Sequence, residues 1–217
     1  CVIIEPILAN INLVLPNYDF LLKLRNICDK YNSLLIFDEI VTGFRVCLSG
    51  AQGKYNIYPD LTCMGKIVGG GFPIGVLGGK KEIMVHLSPI GTVYHGGTMA
   101  GNPITMRAGY ETIKYCLNNL YLYDILERNT FLICEGIKKS AKKFSIDIEV
   151  NYVCGMFGYK FINDKNDEKF KKFFQYLIKA GIYMPPSKFE VGFLSFSHSE
   201  YVIDKTLLKI EEAFSYV

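Results

Sequence analysis

The stretch Leu34-Leu35-Ile36-Phe37-Asp38-Glu39-Ile40 decides the fold class of this chain. Its apolar run has the length and composition of one strand that is buried on both faces, and it ends in two carboxylates. In open α/β sheets the acidic residues of ligand sites lie at such carboxyl ends of strands. An acid in this place is more often a helix cap than a catalytic group, so the stretch alone leaves the role of Asp38 open.

A second stretch, residues 62–73, supplies a lysine. Lys66 is flanked by apolar residues and is followed by the glycine run 69–71, which we interpret as a flexible turn near a bound cofactor. Most such lysines simply extend to the surface. Asp38 and Lys66, however, are 28 residues apart, which leaves room for one crossover between neighbouring strand ends. An amine that can form a Schiff base, with a carboxylate that can pair with a protonated pyridine nitrogen, indicates pyridoxal phosphate chemistry.

The wider pattern predicts an α/β chain in two parts. Residues 1–119 alternate short apolar strands with helices, which predicts part of a mainly parallel sheet. Its strands are expected at 2–5, 34–38, 60–64 and 75–79, with a first helix from Tyr18 to Tyr31 and a helical stretch after Pro103. Residues 120–217 predict a smaller α+β domain. Its helices are expected at Tyr123 to Lys143, near 166–180 and from about Asp204, and its strands near 148–154, 157–162 and 192–197.

Composition excludes several classes of function. The net charge is only +3 and the lysine pairs are scattered along the chain, so we expect no nucleic-acid partner. No apolar run approaches the roughly 18 residues that span a bilayer, so we expect no membrane partner. The seven cysteines form no Cys-x-x-Cys pair, which predicts buried thiols in a reducing compartment, without disulfides and without a metal site.

Other phosphate-binding motifs fail on inspection. A Walker A loop requires a glycine five residues before Gly65, where this chain has Asp60. The dinucleotide fingerprint also fails, because its third glycine falls on Ile74. ATP and NAD are therefore not expected.

Several motifs resemble one known family, the class III aminotransferases, which have the fold-type I architecture of pyridoxal phosphate-dependent transferases. Within that family the chain is most similar to the aminomutases that act on glutamate-1-semialdehyde. The resemblance covers essentially the whole chain and rests on Glu5-Pro6, Asn10-Ile11-Asn12, residues 38–45, 60–66 and 94–98, Gly101-Asn102-Pro103, residues 155–158 and 189–193, and Ser197-His198-Ser199.

The resemblance implies a role for each matching residue at the cofactor. Lys66 is similar to the lysine that binds pyridoxal phosphate covalently and moves protons during the reaction. In this family branch the reaction starts from the pyridoxamine form of the cofactor. Asp38 matches the partner of the pyridine nitrogen. Ile40 matches a branched residue that packs on one face of the ring, although core packing explains an isoleucine there equally well. Asn10 matches the residue that donates a hydrogen bond to the phenolic oxygen of the ring, and an ordinary turn residue is its alternative.

Three further residues receive roles from the resemblance. Thr98 and the backbone of Gly97 match a phosphate contact that is donated across a homodimer interface, with a turn or cap residue as the alternative. Glu190 matches a carboxylate near the site entrance that is linked to a gating loop. A carboxylate among apolar neighbours must otherwise point outward or find a partner.

The branch of the family is indicated by Val41. Family members that use an external amino donor usually carry glutamine at this position, whereas the aminomutases carry an apolar residue. The resemblance thus implies conversion of glutamate-1-semialdehyde to 5-aminolevulinate, a tetrapyrrole precursor. Two alternatives stay open: a transaminase with an external donor, and a non-catalytic remnant of a split gene.

The chain departs from the family in two places. Ala9 stands where the family has glycine, so a turn that needs positive φ there would cost about 1 kcal/mol or more. The chain also begins at Cys1 and is about half as long as the family's chains, so we expect it to be the C-terminal half of the enzyme. We expect a cytoplasmic location and leave a plastid open, because a leader would precede Cys1.

Overall fold

The computed structural model describes residues 1–17 and 19–217. Tyr18, the predicted start of the first helix, lies outside the described residues. Two compact units are present, one formed by Cys1–Ile7 and Pro16–Leu120 and the other by Leu8–Leu15 and Tyr121–Val217. The division into domains 1–119 and 120–217 stays a prediction, and each compact unit is described by itself.

The first unit is built on a four-stranded mixed sheet in the order β1-β2-β3-β4. Its strands are β1 (Val2–Ile4), β2 (Leu35–Asp38), β3 (Leu61–Met64) and β4 (Val76–Gly79). The first three strands are parallel and β4 is antiparallel to β3. The predicted α/β class with a mainly parallel sheet is therefore confirmed, and all four strands lie within a residue or so of their predicted places.

Helices flank this sheet. They are α1 (Phe20–Lys30), α2 (Gly50–Tyr55), α3 (Lys81–Met84) and α4 (Pro103–Asn118). Leu21 and Cys28 of α1 pack against Leu35 and Phe37 of β2, which buries the apolar strand that the sequence indicates. The side chain of Asn102 caps α4, because its Oδ1 accepts hydrogen bonds from the N–H groups of the second and third helical residues. The short helix α2 was not expected.

A buried ion cluster holds the amino ends of β2 and β3 together. The Asp60 carboxylate, whose side chain is 5% exposed, accepts hydrogen bonds from Lys80 Nζ at 2.6 Å, Arg25 Nη1 at 2.9 Å and the Leu35 N–H at 2.7 Å. Burial alone would raise the pKa of Asp60, but these donors outweigh it and lower the pKa to about 2. Asp60 is therefore a charged structural residue.

The second unit consists of a three-stranded antiparallel sheet and three helices. Its elements are α5 (Tyr121–Lys143), β5 (Ile148–Val153), β6 (Met156–Phe161), α6 (Glu168–Lys179), β7 (Gly192–Phe193) and α7 (Glu200–Phe214), with strand order β5-β6-β7. Aromatic rings from β6, α6 and α7 fill its core; Phe173, for example, lies 5.5 Å from Phe161 and 4.8 Å from Phe214 between ring centroids. The predicted α+β arrangement is observed.

Two predicted boundaries in this unit are wrong. The last strand ends at Phe193 instead of 197, because Ser195 and His198 form a turn in which the Ser195 N–H donates to His198 Nδ1 at 2.9 Å and the His198 N–H donates to the Ser195 carbonyl. The last helix starts at Glu200, four residues before the predicted Asp204. Across residues 1–17 and 19–217, no helix has the length and apolarity that a membrane span requires.

Candidate functional site

The structure brings Asp38 and Lys66 to adjacent strand ends. Asp38 is the last residue of β2 and lies opposite Cys63 of β3 in the parallel register. The Glu39 N–H continues the ladder by donating to the Cys63 carbonyl at 2.9 Å. Lys66 follows Cys63 by three residues and opens the 3₁₀ helix Lys66–Gly69. The acid and the amine therefore share the carboxyl edge of the sheet, where ligands of α/β proteins bind.

The backbone at Lys66 is unusual for a lysine. Its φ is 51°, in the left-handed region, which costs a residue with a side chain roughly 1–2 kcal/mol. The side chain is exposed, and within the described chain Lys66 Nζ forms no ion pair. Strained residues of this kind cluster at functional sites. The conformation thus holds a free amine at the sheet edge.

Ile40 packs beside this lysine. A Cβ placed on Gly65 would lie 3.4 Å from Ile40 Cγ2, so the glycine lets the isoleucine side chain lie directly against the backbone that precedes Lys66. Ile40 is 37% exposed, which leaves part of its branched side chain uncovered. The structure therefore brings Asp38, Ile40 and Lys66 together, as a ring-binding site would require.

The Asp38 carboxylate is half-buried, and few protein groups bind it. Its Oδ1 accepts a hydrogen bond from the Ile40 N–H at 3.0 Å, within the same turn. Burial, followed by the charge of Asp38, raises the pKa of the Cys63 thiol that lies opposite this residue. No cation pairs with Asp38 among the residues that the structure describes. A protonated ring nitrogen is the kind of partner this carboxylate still accepts.

The glycine run after Lys66 packs against α4. Gly70 has a φ of +59°, and a Cβ there would lie 2.6 Å from the Ala108 carbonyl oxygen. A Cβ on Gly109 of α4 would similarly lie 2.3 Å from the Val68 carbonyl oxygen. Because these glycines have no side chains, the segment after Lys66 can pack closely against α4. The sequence predicts a flexible turn here and gives no sign of this packing role.

Asn10 and Glu190 lie in the second unit, in neighbouring segments. The N–H of Asn12 donates to the Phe189 carbonyl at 2.7 Å, and Asn12 Nδ2 donates to the Lys188 carbonyl at 3.1 Å. The positive φ of this turn is taken by Asn12, at 71°, whereas Ala9 is buried without one. Asparagine tolerates a positive φ, and Ala9 does not have to adopt one. The alanine in place of the family's glycine therefore causes no backbone strain.

Glu190 lines a largely apolar cavity of about 690 Å3 within the second unit. Its side chain is exposed, and its N–H donates to the Ser187 carbonyl at 3.0 Å. His198 and Val202 also line this cavity. Glu190 therefore points outward at the rim of a cavity, and its link to a gate stays a prediction.

Gly97 and Thr98 lie in an exposed turn of the first unit. The Ala100 N–H donates to the Gly97 carbonyl at 2.9 Å, and the turn leads into the cap of α4. Both residues are exposed, as a contact to a second subunit would require. Their phosphate role stays a prediction.

One residue of this site escapes the sequence analysis. Glu39, next to Asp38, is fully buried and accepts hydrogen bonds from Thr42 and from the start of α2. Glu39 is visible in the stretch 34–40 as its second carboxylate. Its partners in α2, however, lie 12 and 13 residues away and follow no motif.

Known proteins of one family are similar to this chain. The family model "Aminotransferase class-III" matches residues 1–213. Proteins named glutamate-1-semialdehyde 2,1-aminomutase from Francisella philomiragia subsp. philomiragia and Francisella tularensis subsp. tularensis are 43% and 44% identical over 99% of this chain. The chain covers 52% of each, so it spans about half the length of these curated relatives.

Solved structures share the fold. An omega-transaminase from Sphaerobacter thermophilus superposes with a TM-score of 0.88 at 26% identity, covering 99% of this chain and 51% of that one. A glutamate-1-semialdehyde aminomutase variant from Pseudomonas aeruginosa PAO1, in complex with PMP, gives a TM-score of 0.84 at 18% identity over the same shares of the two chains. Because the family model matches nearly the entire sequence, the chain belongs to the class-III aminotransferase family.

Proposed function

We propose that the gene product containing this chain is an aminomutase that uses pyridoxal phosphate and its pyridoxamine form to convert glutamate-1-semialdehyde to 5-aminolevulinate for tetrapyrrole synthesis. The observation that carries the proposal is the placement of Asp38 and Lys66 at adjacent strand ends, with Ile40 beside them. The names of the relatives at 43–44% identity support the same reaction.

The residues at the sheet edge fit the cofactor. When bound, pyridoxal phosphate supplies an electron sink for carbon–nitrogen chemistry. The Asp38 carboxylate, which lacks a cationic partner among the described residues, would hold the proton on the pyridine nitrogen. Lys66 would bind the cofactor through Nζ and move protons between cofactor and substrate carbons. Ile40 would cover one face of the ring and exclude water from it.

The resemblance to the family supports roles for four further residues. Asn10 would donate to the phenolic oxygen of the ring, and the Gly97 backbone with the Thr98 hydroxyl would hold the phosphate of a neighbouring subunit in a homodimer. Glu190 would lie at the site entrance, where closure of a gate prevents loss of the reaction intermediate. The bacterial relatives support a cytoplasmic location.

Val41 supports an aminomutase over a transaminase with an external donor. It is 8% exposed and its carbonyl accepts a hydrogen bond from Arg45 Nε at 2.9 Å. An apolar residue held there offers no side-chain hydrogen bond to a cofactor, unlike glutamine. An enzyme of this branch moves the amino group within one substrate.

Borohydride reduction of the protein from its natural source, followed by peptide mass mapping, tests the proposal. We expect a pyridoxyl adduct on Lys66 and aminomutase activity without an added amino donor. A requirement for an external donor would instead establish a transaminase. Because the pyridoxamine form has no imine that borohydride can reduce, the protein is first saturated with pyridoxal phosphate. An unmodified Lys66 after that reduction would contradict the cofactor role.

A further inference from the structure

Glu39 is a buried carboxylate next to the proposed cofactor site. It lies between Asp38 and Ile40 in the sequence, yet its side chain points away from solvent and is 0% exposed. Carboxylates are almost never fully buried without partners, because desolvation of the charge must be compensated. The identity of its partners therefore shows what the residue does.

Both oxygens of Glu39 accept hydrogen bonds from the chain that follows. Oε2 accepts from the Thr42 hydroxyl at 2.8 Å and from the Ala51 N–H at 2.6 Å, and Oε1 accepts from the Gln52 N–H at 2.9 Å. The two N–H groups belong to the first turn of α2, which leaves such groups unsatisfied. Glu39 therefore ties the end of β2 to the start of α2.

Two glycines keep space for this arrangement. Gly50 has a φ of +68°, and a Cβ there would lie 2.4 Å from Glu39 Oε2. A Cβ on Gly43 would lie 2.8 Å from the Glu39 carbonyl oxygen, which accepts the Gly43 N–H at 2.8 Å. The loop between β2 and α2 is thus folded around the glutamate.

The same network reaches β3, the strand that leads to Lys66. The Glu39 N–H donates to the Cys63 carbonyl at 2.9 Å, and Gln52 Nε2 donates to the Thr62 hydroxyl at 3.5 Å. The glutamate is consequently connected to both strand ends, through its own backbone and through α2. A shift of Glu39 would move Asp38 and Ile40 with it.

We infer that Glu39 is a positioning residue, which holds the Asp38 carboxylate and the Ile40 side chain in register with Lys66 for a pyridine-ring ligand. The inference rests on the proposed cofactor site. Glu39 itself touches neither substrate nor cofactor. Its carboxylate acts through the backbone of its two neighbours, in a site where a misplacement of 1 Å costs roughly 100-fold in rate.

The test compares Glu39→Gln with Asp60→Asn in the complete gene product. Both changes replace a buried carboxylate that accepts three hydrogen bonds, one at the carboxyl edge of the sheet and one at the amino edge. In Glu39→Gln an NH2 group replaces one of the two acceptor oxygens. This donor then faces an N–H group that needs an acceptor. Three quantities are measured: thermal stability, the dissociation constant of pyridoxal phosphate, and the pH at which the absorption spectrum of bound cofactor changes.

We expect both variants to lose stability, but only Glu39→Gln to bind pyridoxal phosphate about tenfold more weakly and to shift the spectral pH transition. If Glu39→Gln does not fold, Thr42→Val removes one donor to the same carboxylate and is expected to move cofactor binding in the same direction by less. Equal changes in both buried-carboxylate variants, or an unchanged spectrum in Glu39→Gln or Thr42→Val, would overturn the positioning role. Failure of the proposed function is distinct, because then the unchanged protein, saturated with pyridoxal phosphate and reduced with borohydride, itself carries no adduct on Lys66.

Discussion

The two edges of the first unit's sheet use carboxylates in opposite ways. At the amino edge Asp60 is satisfied by Arg25, Lys80 and a backbone N–H, and its pKa falls to about 2. At the carboxyl edge Asp38 accepts one local N–H, while the buried Glu39 beside it takes all of its hydrogen bonds from neutral groups. Asp60, which already has its cations, stabilises the fold. Asp38, which is half-buried and has no cation among the described residues, is available to a ligand, whereas the buried Glu39 holds the strand end in place.

The largest effect is expected from Lys66→Ala. This change removes the amine that we propose to bind the cofactor and to move protons, so aminomutase activity should fall by orders of magnitude and no pyridoxyl adduct should form. Removal of a lysine from left-handed backbone changes stability little. Lys54→Ala, at an exposed position of α2, is the matched control and should retain both adduct and activity. Full activity in Lys66→Ala would contradict the proposed chemical role of Lys66 at the carboxyl edge of the sheet.

Asp38→Asn should have the next largest effect. The amide cannot stabilise a positive pyridine nitrogen, so we expect kcat/KM to fall by about 10²–10³. Stability should change little, since the half-buried carboxylate accepts a single local hydrogen bond. Steady-state kinetics and chemical denaturation measure the two quantities. A variant that loses stability but keeps its activity would reverse the contrast between the edges.

Asp60→Asn should show the opposite behaviour. A carboxylate whose folded pKa is lowered contributes stability above its unfolded pKa, and this contribution is lost as pH falls through the folded value. For Asp60 the window runs from about pH 4 down to about pH 2, and the shift corresponds to roughly 2–3 kcal/mol. The unfolding free energy measured across this range should decline in the unchanged protein and lose most of that dependence in Asp60→Asn.

A pH dependence that persists in Asp60→Asn would assign the effect to other carboxylates. Arg25→Ala serves as a second control, because its side chain is 14% exposed and it pairs with the same carboxylate at 2.9 Å. It should weaken the low-pH dependence in the same direction. Lys80 forms the shorter contact with this carboxylate, at 2.6 Å, but its side chain is 53% exposed, so solvent screens its ion pair more than that of Arg25.

Much of the architecture was predictable because local patterns carry it. Residues close together in the sequence specify the apolar strand before Asp38 and the helical spacing of α5. Both elements lie near their predicted places. The placement of Asp38 and Lys66 at neighbouring strand ends was predictable for the same reason, and their chemical roles stay predictions. Helix α2 was missed because its six residues contain two glycines and no apolar period, and its start is held by the distant Glu39.

The site beyond Asp38 and Lys66 depends on contacts that sequence spacing does not encode. Asn12 takes the positive φ that the sequence analysis considered at Ala9, because its side chain hydrogen-bonds to the Tyr159 and Lys188 carbonyls far along the chain. The turn of Ser195 and His198 likewise ends β7 early through side-chain bonds. Side-chain hydrogen bonds override local preference in both cases, over a long separation at Asn12 and within three residues at Ser195 and His198.

The smallest effect is expected from a pair of glycine substitutions that separates the two edges. Gly70→Ala places a Cβ 2.6 Å from the Ala108 carbonyl oxygen at the carboxyl edge, and Gly79→Ala places one 2.4 Å from the Asp60 carbonyl oxygen at the amino edge. Each forces backbone to move, so each should cost roughly 1–3 kcal/mol of unfolding free energy in denaturation experiments.

Their effects on Lys66 should differ. Gly70 holds the segment that begins at Lys66 against α4, so Gly70→Ala should also lower the yield of the borohydride-trapped adduct at equal cofactor concentration. Gly79 lies opposite Leu61, at the other end of β3, and its variant should trap as much cofactor as the unchanged protein. Equal yields from both variants would mean that the left-handed backbone of Lys66 tolerates movement of the chain that follows it, and that the carboxyl edge is less tightly held than its close contacts indicate.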